Sequence, residues 1–165
     1  MPDRETWRDV PGYEGYYQVS DLGRVKSLAR VVPDRRVGQR SIPEKILKHG
    51  IRSGYESVLI QRRKIRTNRT VHSLVAEAFL GPKPDGSNVC HKNGNSADNR
   101  PENLRYDSQR GNIRDSVRHG THRNTRKSYC KRGHPLLGDN LYVNPGSGAR
   151  VCRTCQKIWQ RGGAR

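Results

Sequence analysis

Apolar bulk is what this chain has least of. Its 165 residues include one phenylalanine and one methionine; aromatics make up 6% and apolar residues 31%. That supply does not fill one large core. It suits small modules with local cores, helped by metal where a core falls short. Acid is scarce too, with 15 Asp and Glu against 33 Lys and Arg and a formal net charge of +18. Such an imbalance describes the partner rather than the fold, and a polyanion is the natural partner. No apolar run approaches the length of a membrane-spanning helix, and no basic amphipathic helix carries an aromatic face. The start, Met1-Pro2-Asp3-Arg4-Glu5, lacks the apolar region of a signal peptide. The expectation is a cytoplasmic protein without a membrane partner. Its four cysteines are then metal ligands or free thiols rather than disulfides.

What is there is concentrated between Val89 and Asn112. Val89-Cys90-His91-Lys92-Asn93-Gly94-Asn95 is followed by Arg100-Pro101-Glu102-Asn103-Leu104-Arg105 and then Asn112. Hydrolysis of a phosphodiester needs a base to activate water and a cation to stabilise the leaving oxygen. Imidazole titrates near neutral pH, so His91 suits the base. An amide oxygen is a neutral, hard donor, so Asn112 suits a magnesium-type ion. Asn88 to His91 reads as a strand, Lys92 to Pro101 as an Asn-, Asp- and Gly-rich loop, and Leu104 to Tyr106 as a second strand. Ser108 can cap a helix that runs to His119 and stops at Gly120. Ile113 and Val117 are its expected buried stripe, while Asn112, Asp115, Ser116 and His119 share another face.

This block resembles the HNH nuclease motif, most strongly that of phage and intron-encoded HNH homing endonucleases. The resemblance implies a ββα-metal core in which a hairpin carries the histidine and a helix carries the metal ligand. It implies that His91 is the general base, that Asn103 orients it, and that Asn112 binds the cation, magnesium or manganese. Some members have Asp directly before the histidine as a metal ligand. Here Cys90 stands there, and thiolate is a poor ligand for magnesium. Either Cys90 is a buried strand residue or another oxygen replaces the carboxylate, with Asp115 the candidate.

The N-terminal part reads as short strands between turns. Tyr16 to Val19 and Arg24 to Ser27 are strand candidates in the run Trp7 to Leu28. That run resembles the small module often fused to HNH homing nucleases, which implies DNA contact, with Arg24 and Lys26 facing phosphate. Val31 to Pro43 reads as a mobile basic loop. Ile46 to Lys48 and Tyr55 to Gln61 read as strands, with Gly50 to Gly54 as the turn between them. Arg62, Arg63 and Lys64 form a basic hairpin tip. Ser73 to Leu80 reads as a helix with Leu74, Val75, Ala78 and Phe79 on its core face. His72, at the entry to that helix, is read as a packing residue rather than a second catalytic histidine.

The tail holds Cys130, His134, Cys152 and Cys155. Cys-x3-His followed by Cys-x2-Cys supplies four ligands, enough to close a tetrahedral structural zinc site, with Leu141 to Val143 and Arg150-Val151 as a hairpin between; the alternative is reduced thiols in a disordered tail. A module of this size needs the metal to fold. It resembles the zinc-binding tails of some phage HNH proteins, so Arg132, Arg153 and Lys157 are expected at DNA.

The expected architecture is α+β. A β-rich DNA-binding module spans 1–66, an HNH ββα-metal nuclease domain 67–121, a basic linker 122–129 and a zinc-ribbon-like module 130–165. The expected function is metal-dependent nicking of duplex DNA at a long site by a monomer, in a bacterial or phage-infected cell. The rival is a non-catalytic DNA-binding regulator with a degenerate centre, kept open by Cys90. RNA binding is the weaker third reading, since the exposed-aromatic signature of an RNA module is missing.

Overall fold

The chain was analysed as a computed structural model that describes residues 5–162. Thirteen strands and three α-helices are found among the described residues. Strands β1 (Trp7–Asp9), β2 (Tyr17–Ser20), β3 (Val25–Ser27) and β6 (Lys45–Ile46) form one antiparallel sheet in the order β1-β2-β3-β6. Strands β7 (Gly50–Arg52), β8 (Tyr55–Arg62) and β9 (Ile65–Thr70) form a second. The Tyr17 hydroxyl ties the two sheets, accepting from the Gln61 N–H at 3.0 Å.

The arms of the second sheet are joined by two-residue turns whose residues have positive φ: Ser53 and Gly54, then Arg63 and Lys64. These turns match the twist of a hairpin. The stretch Gly50 to Gly54, expected to be all turn, is therefore mostly strand. Val31 to Pro43 also departs from expectation. It is a hairpin, β4 (Arg30–Asp34) with β5 (Gly38–Ile42). Its turn is closed by Asp34, whose Oδ1 accepts from the Arg36 and Val37 N–H groups. The hairpin buries no apolar stripe, so the alternation that would reveal strands in a sequence is missing.

Helix α1 (Val71–Phe79) starts two residues earlier than the sequence suggests, because Val71 is itself core. Strand β10 (Ser87–His91) and β11 (Leu104–Ser108) are antiparallel, with Cys90 opposite Arg105 and His91 opposite Leu104. Helix α2 (Gln109–Arg118) follows. Ser108 caps it, its Oγ accepting from the Gly111 N–H at 3.1 Å.

One apolar cluster joins these parts. It takes Val10, Tyr17, Val19 and Val25 from the first sheet, Val58 and Ile60 from β8, Val71, Leu74, Val75 and Ala76 from α1, and Leu104 from β11. Ala78 and Phe79 pack against it. The expected division at residue 66 thus separates two sequence modules that share a single core. By its contacts the chain forms two compact units, Met1–Asn112 and Ile113–Arg165. In the second, β12 (Leu141–Val143) pairs with β13 (Arg150–Cys152), and α3 (Arg153–Gly162) follows directly.

The expected stripe on α2 is reversed. Ile113 and Val117 are 44% and 41% exposed, whereas Asp115 is 7% exposed, and Asn112, Ser116 and His119 are half-buried. The polar face of this helix is its covered side.

Candidate active site and metal centre

His91 is the last residue of β10, at the mouth of the hairpin loop. The loop is stiffened by its own amides. Asn103 is buried, and its Oδ1 accepts from the Asn93 N–H at 3.0 Å. Its Nδ2 donates to Asn93 Oδ1 at 3.0 Å and to the Asp98 carbonyl at 2.8 Å. The Asn103 carbonyl in turn accepts from the Lys92 N–H. Asp98 pairs with Arg100 at 2.9 Å, and hydrogen bonds from Arg100 hold its carboxyl down at about 2. Asn103 thus holds the loop together and makes no hydrogen bond to the His91 ring among those described.

The amide that meets the imidazole is Asn99. Its Oδ1 lies 3.2 Å from His91 Nε2, and its Nδ2 donates to Glu56 Oε2 at 2.9 Å. The sequence reading used neither Asn99 nor Glu56. Asn99 stands inside the motif block, in Asp98-Asn99-Arg100, where a spacing signal was available. Glu56 is remote in sequence and left none.

Two more rings crowd the histidine. The His72 ring centroid is 5.3 Å from that of His91, and Tyr55 stacks on His91 at 6.2 Å. His72 packs against the rings of both Tyr55 and His91, beside the candidate site. Its Nε2 lies 3.3 Å from Thr70 Oγ1, while its Nδ1 is buried without a hydrogen-bond partner among the described residues. Burial, with a smaller contribution from His91, pushes its pKa down to about 4.

A histidine lowered in this way destabilises the fold in acid. Between about pH 6.5 and 4 the unfolded chain binds a proton at this position that the native chain refuses, so stability falls as pH falls through that window. Lowering the pH from about 7 to 5 should cost on the order of 1–2 kcal/mol through this group alone. Urea midpoints at both pH values, for the wild type and His72→Leu, measure it; an equal pH dependence in both would refute it.

Cys90 is buried, and its Sγ–H is directed at the Asn88 carbonyl 3.8 Å away. Asn112 is half-buried on the second turn of α2. Asp115 follows one turn later, and Arg118 lies 3.8 Å from its Oδ1.

In the second unit, Cys130, His134, Cys152 and Cys155 bring their donor atoms within 4.8 Å of one another. Cys130 Sγ lies 3.6 Å from Cys155 Sγ and 3.5 Å from His134 Nδ1. His134 Nδ1 is 3.2 Å from Cys155 Sγ and 3.7 Å from Cys152 Sγ. Two sulfurs bound tetrahedrally at about 2.3 Å would stand about 3.8 Å apart, so the set is close to metal-binding size. Backbone N–H groups face the sulfurs, from Arg132 and His134 to Cys130 and from Cys155 to Cys152. The Cys155 N–H holds the Cys152 thiol below its ordinary range, while desolvation and the neighbouring thiols push Cys155 up. A dication would relieve that crowding of negative charge.

Asn140 and Arg150 are the supports that sequence reading missed. Asn140 Oδ1 accepts from the Thr154 N–H and hydroxyl, fixing the start of α3 beside Cys152. Arg150 Nη1 donates to the carbonyls of Asn124, Thr125 and Lys127, at 2.7 to 2.9 Å. The basic linker is therefore anchored to the Cys/His module.

The residues expected at DNA are at the surface in varied company. Arg24 pairs with Glu5 and lies over the Trp7 ring, and Lys26 lies 4.5 Å from the same ring and 3.7 Å from Glu44. Arg62 lies over Tyr16 and donates to the Gly12 carbonyl. Arg63, Lys64, Arg132, Arg153 and Lys157 are exposed. Among the described residues no helix is long and apolar enough to cross a membrane.

Known proteins match the same segments of the chain. Residues 5–60 match the NUMOD4 motif and residues 69–114 match the HNH endonuclease family. The DNA endonuclease I-HmuI of Bacillus phage SP01 is 37% identical over 117 residues, covering 70% of this chain and 59% of the relative. An HNH endonuclease of Acanthamoeba polyphaga mimivirus, L247, is 33% identical over 118 residues, covering 68% of this chain and 26% of the relative. The chain thus spans less than two thirds of the length of either relative. A solved structure of I-HmuI, described as an HNH homing endonuclease that binds and cleaves DNA, superposes with a TM-score of 0.57 at 35% identity, covering 71% of this chain and 60% of that one. With its histidine-bearing hairpin, the helix that follows and the motif ahead of them, the chain carries an HNH endonuclease match at residues 69–114 and resembles HNH homing endonucleases over about 70% of its length.

Proposed function

We propose that the protein is a metal-dependent endonuclease that nicks duplex DNA. The observation that carries the reading is His91 at the end of β10, gripped by Asn99 through one ring nitrogen so that the other can act. His91 takes a proton from water as the water oxygen bonds to phosphorus and the bond to the 3′ oxygen breaks. Asn103 keeps the loop rigid behind it.

The donors available for a hard cation are oxygens on the covered face of α2. The Asn112 amide and the Asp115 carboxylate fit magnesium or manganese, and Cys90 does not, because its thiol is buried and soft. When bound, the cation would neutralise charge on the scissile phosphate and the leaving oxygen. Cys130, His134, Cys152 and Cys155 suit a structural zinc.

Arg24, Lys26, Arg62, Arg63, Lys64, Arg132, Arg153 and Lys157 supply phosphate contacts along an extended site, and a monomer with one centre cuts one strand. Arg153→Ala and Lys157→Ala should each weaken duplex binding and lower the salt slope of log K by about one. Filter binding across a salt series checks this; an unchanged slope in both would remove α3 from the footprint.

The whole reading is tested on supercoiled plasmid and phage DNA with magnesium, manganese or EDTA. Metal-dependent conversion to open circle supports nicking, and linear product means paired cuts. DNA that is bound but left supercoiled under every condition selects the regulator with a degenerate centre.

A further inference from the structure

The grip on His91 continues outward for two more side chains. Asn99, 4% exposed, bridges His91 to Glu56. The same Glu56 Oε2 lies 3.3 Å from His49 Nδ1. Glu56 stands on β8, within the residues that match the NUMOD4 motif, whereas Asn99 and His91 lie in the HNH part.

The hydrogen-bonding roles along this chain determine one another. A carboxylate only accepts, so the NH2 end of the Asn99 amide must face Glu56. Its oxygen must then face His91. An oxygen facing the ring requires a proton on Nε2, so the neutral imidazole is the Nε2–H tautomer and the Nδ1 lone pair is left for water. Flipping the amide would set its oxygen against the carboxylate and its NH2 against the Nε2 proton, with neither side satisfied. The N-terminal part also shapes the seat of this amide. Gly23, at φ +80°, passes so close that a Cβ there would lie 3.1 Å from Asn99 Cβ.

We infer that Glu56, acting through Asn99, is a positioning residue that selects which nitrogen of His91 serves as the base, with His49 supporting the carboxylate from outside. This rests on the reading of His91 as the base of a DNA endonuclease. Neither Glu56 nor His49 touches the water or the phosphate in this scheme. The N-terminal part thereby has a role in catalysis besides any contact it makes with DNA.

The test uses the full chain labelled with 15N-histidine, with tautomers read from long-range 1H–15N correlations at about pH 8, above the ordinary imidazole range. A His91→Ala spectrum identifies the His91 signals. The wild type should show the Nε2–H form. Glu56→Gln offers Asn99 either an oxygen or an amide, so it should give mixed tautomers. Its single-turnover cleavage should be slower by about tenfold or more, with duplex affinity unchanged. Combining Glu56→Gln with Asn99→Asp restores an acceptor facing His91 and a donor facing the new carboxylate, and should recover the single tautomer and most of the rate. A purely structural role would show neither the mixture nor the rescue. An Nδ1–H form in the wild type, or an unchanged His91 spectrum in Glu56→Gln, overturns the inference. If the wild type cuts no DNA at all, the endonuclease reading falls, while the spectra still decide whether Glu56 sets the tautomer.

Discussion

His91→Ala is expected to leave duplex binding intact and to reduce nicking by about 10²–10⁴-fold, the usual contribution of a positioned general base. The expectation follows from where the side chain sits. His91 ends a strand whose neighbours Cys90 and Leu104 carry the burial, so removing the imidazole leaves the hairpin its packing. The loop is held by Asn103 and Asn93 without it. The basic side chains proposed to meet phosphate are elsewhere. The loss should therefore fall on the rate constant for cleavage and spare affinity and thermal stability. Conversion of supercoiled to open-circle DNA at saturating protein, beside a gel-shift titration, separates the two. Asp115→Asn belongs in the same assay. If Asp115 shares the cation with Asn112, the variant loses cleavage and excess manganese restores part of it. Full activity in magnesium would remove Asp115 from the site. A His91→Ala protein that cuts at the wild-type rate would end the reading of His91 as the base.

The legible parts of this chain were those governed by short-range rules. The hairpin and helix around His91 follow from turn residues, a Ser cap and two short strand runs. The core face of α1 follows from helical periodicity. Cys130, His134, Cys152 and Cys155 were legible because metal-ligand spacing is a local property. The misread elements fail for identifiable reasons. The β4–β5 hairpin buries no apolar stripe, so its strands look like loop. Helix α2 has two apolar residues on one side and a row of polar ones on the other, and periodicity alone assigns the apolar side inward. The structure covers the polar side instead. The shared core reaches from Val10 to Leu104, and the bond from Glu56 to Asn99 spans 43 positions. No window along the sequence contains such a pair.

Removing the metal is expected to unfold the C-terminal module and leave the N-terminal unit folded. Among the described residues from 122 onward, Leu136 and Cys152 are the only buried apolar positions. Two residues cannot offset the entropy of ordering some forty. The four donors can, because metal binding at such sites is worth on the order of 10–16 kcal/mol at neutral pH. The supports seen around them act only when the ligands are gathered: Asn140 grips Thr154 beside Cys152, and Arg150 ties the linker to β13. Loss of the ion therefore releases the β12–β13 hairpin, α3 and the linker together. The unit ending at Asn112 has its own apolar cluster and should persist. Metal analysis should find one zinc per chain. A strong chelator, or Cys152→Ser, should expose the Lys and Arg residues beyond Arg118 to trypsin while a fragment containing residues 5–112 resists. Chelation should also weaken DNA binding through the loss of Arg132, Arg153 and Lys157, even when magnesium is restored for the nuclease site. A tail that stays trypsin-resistant without zinc would mean that hydrogen bonds alone hold it, and the clustered cysteines would then need another explanation.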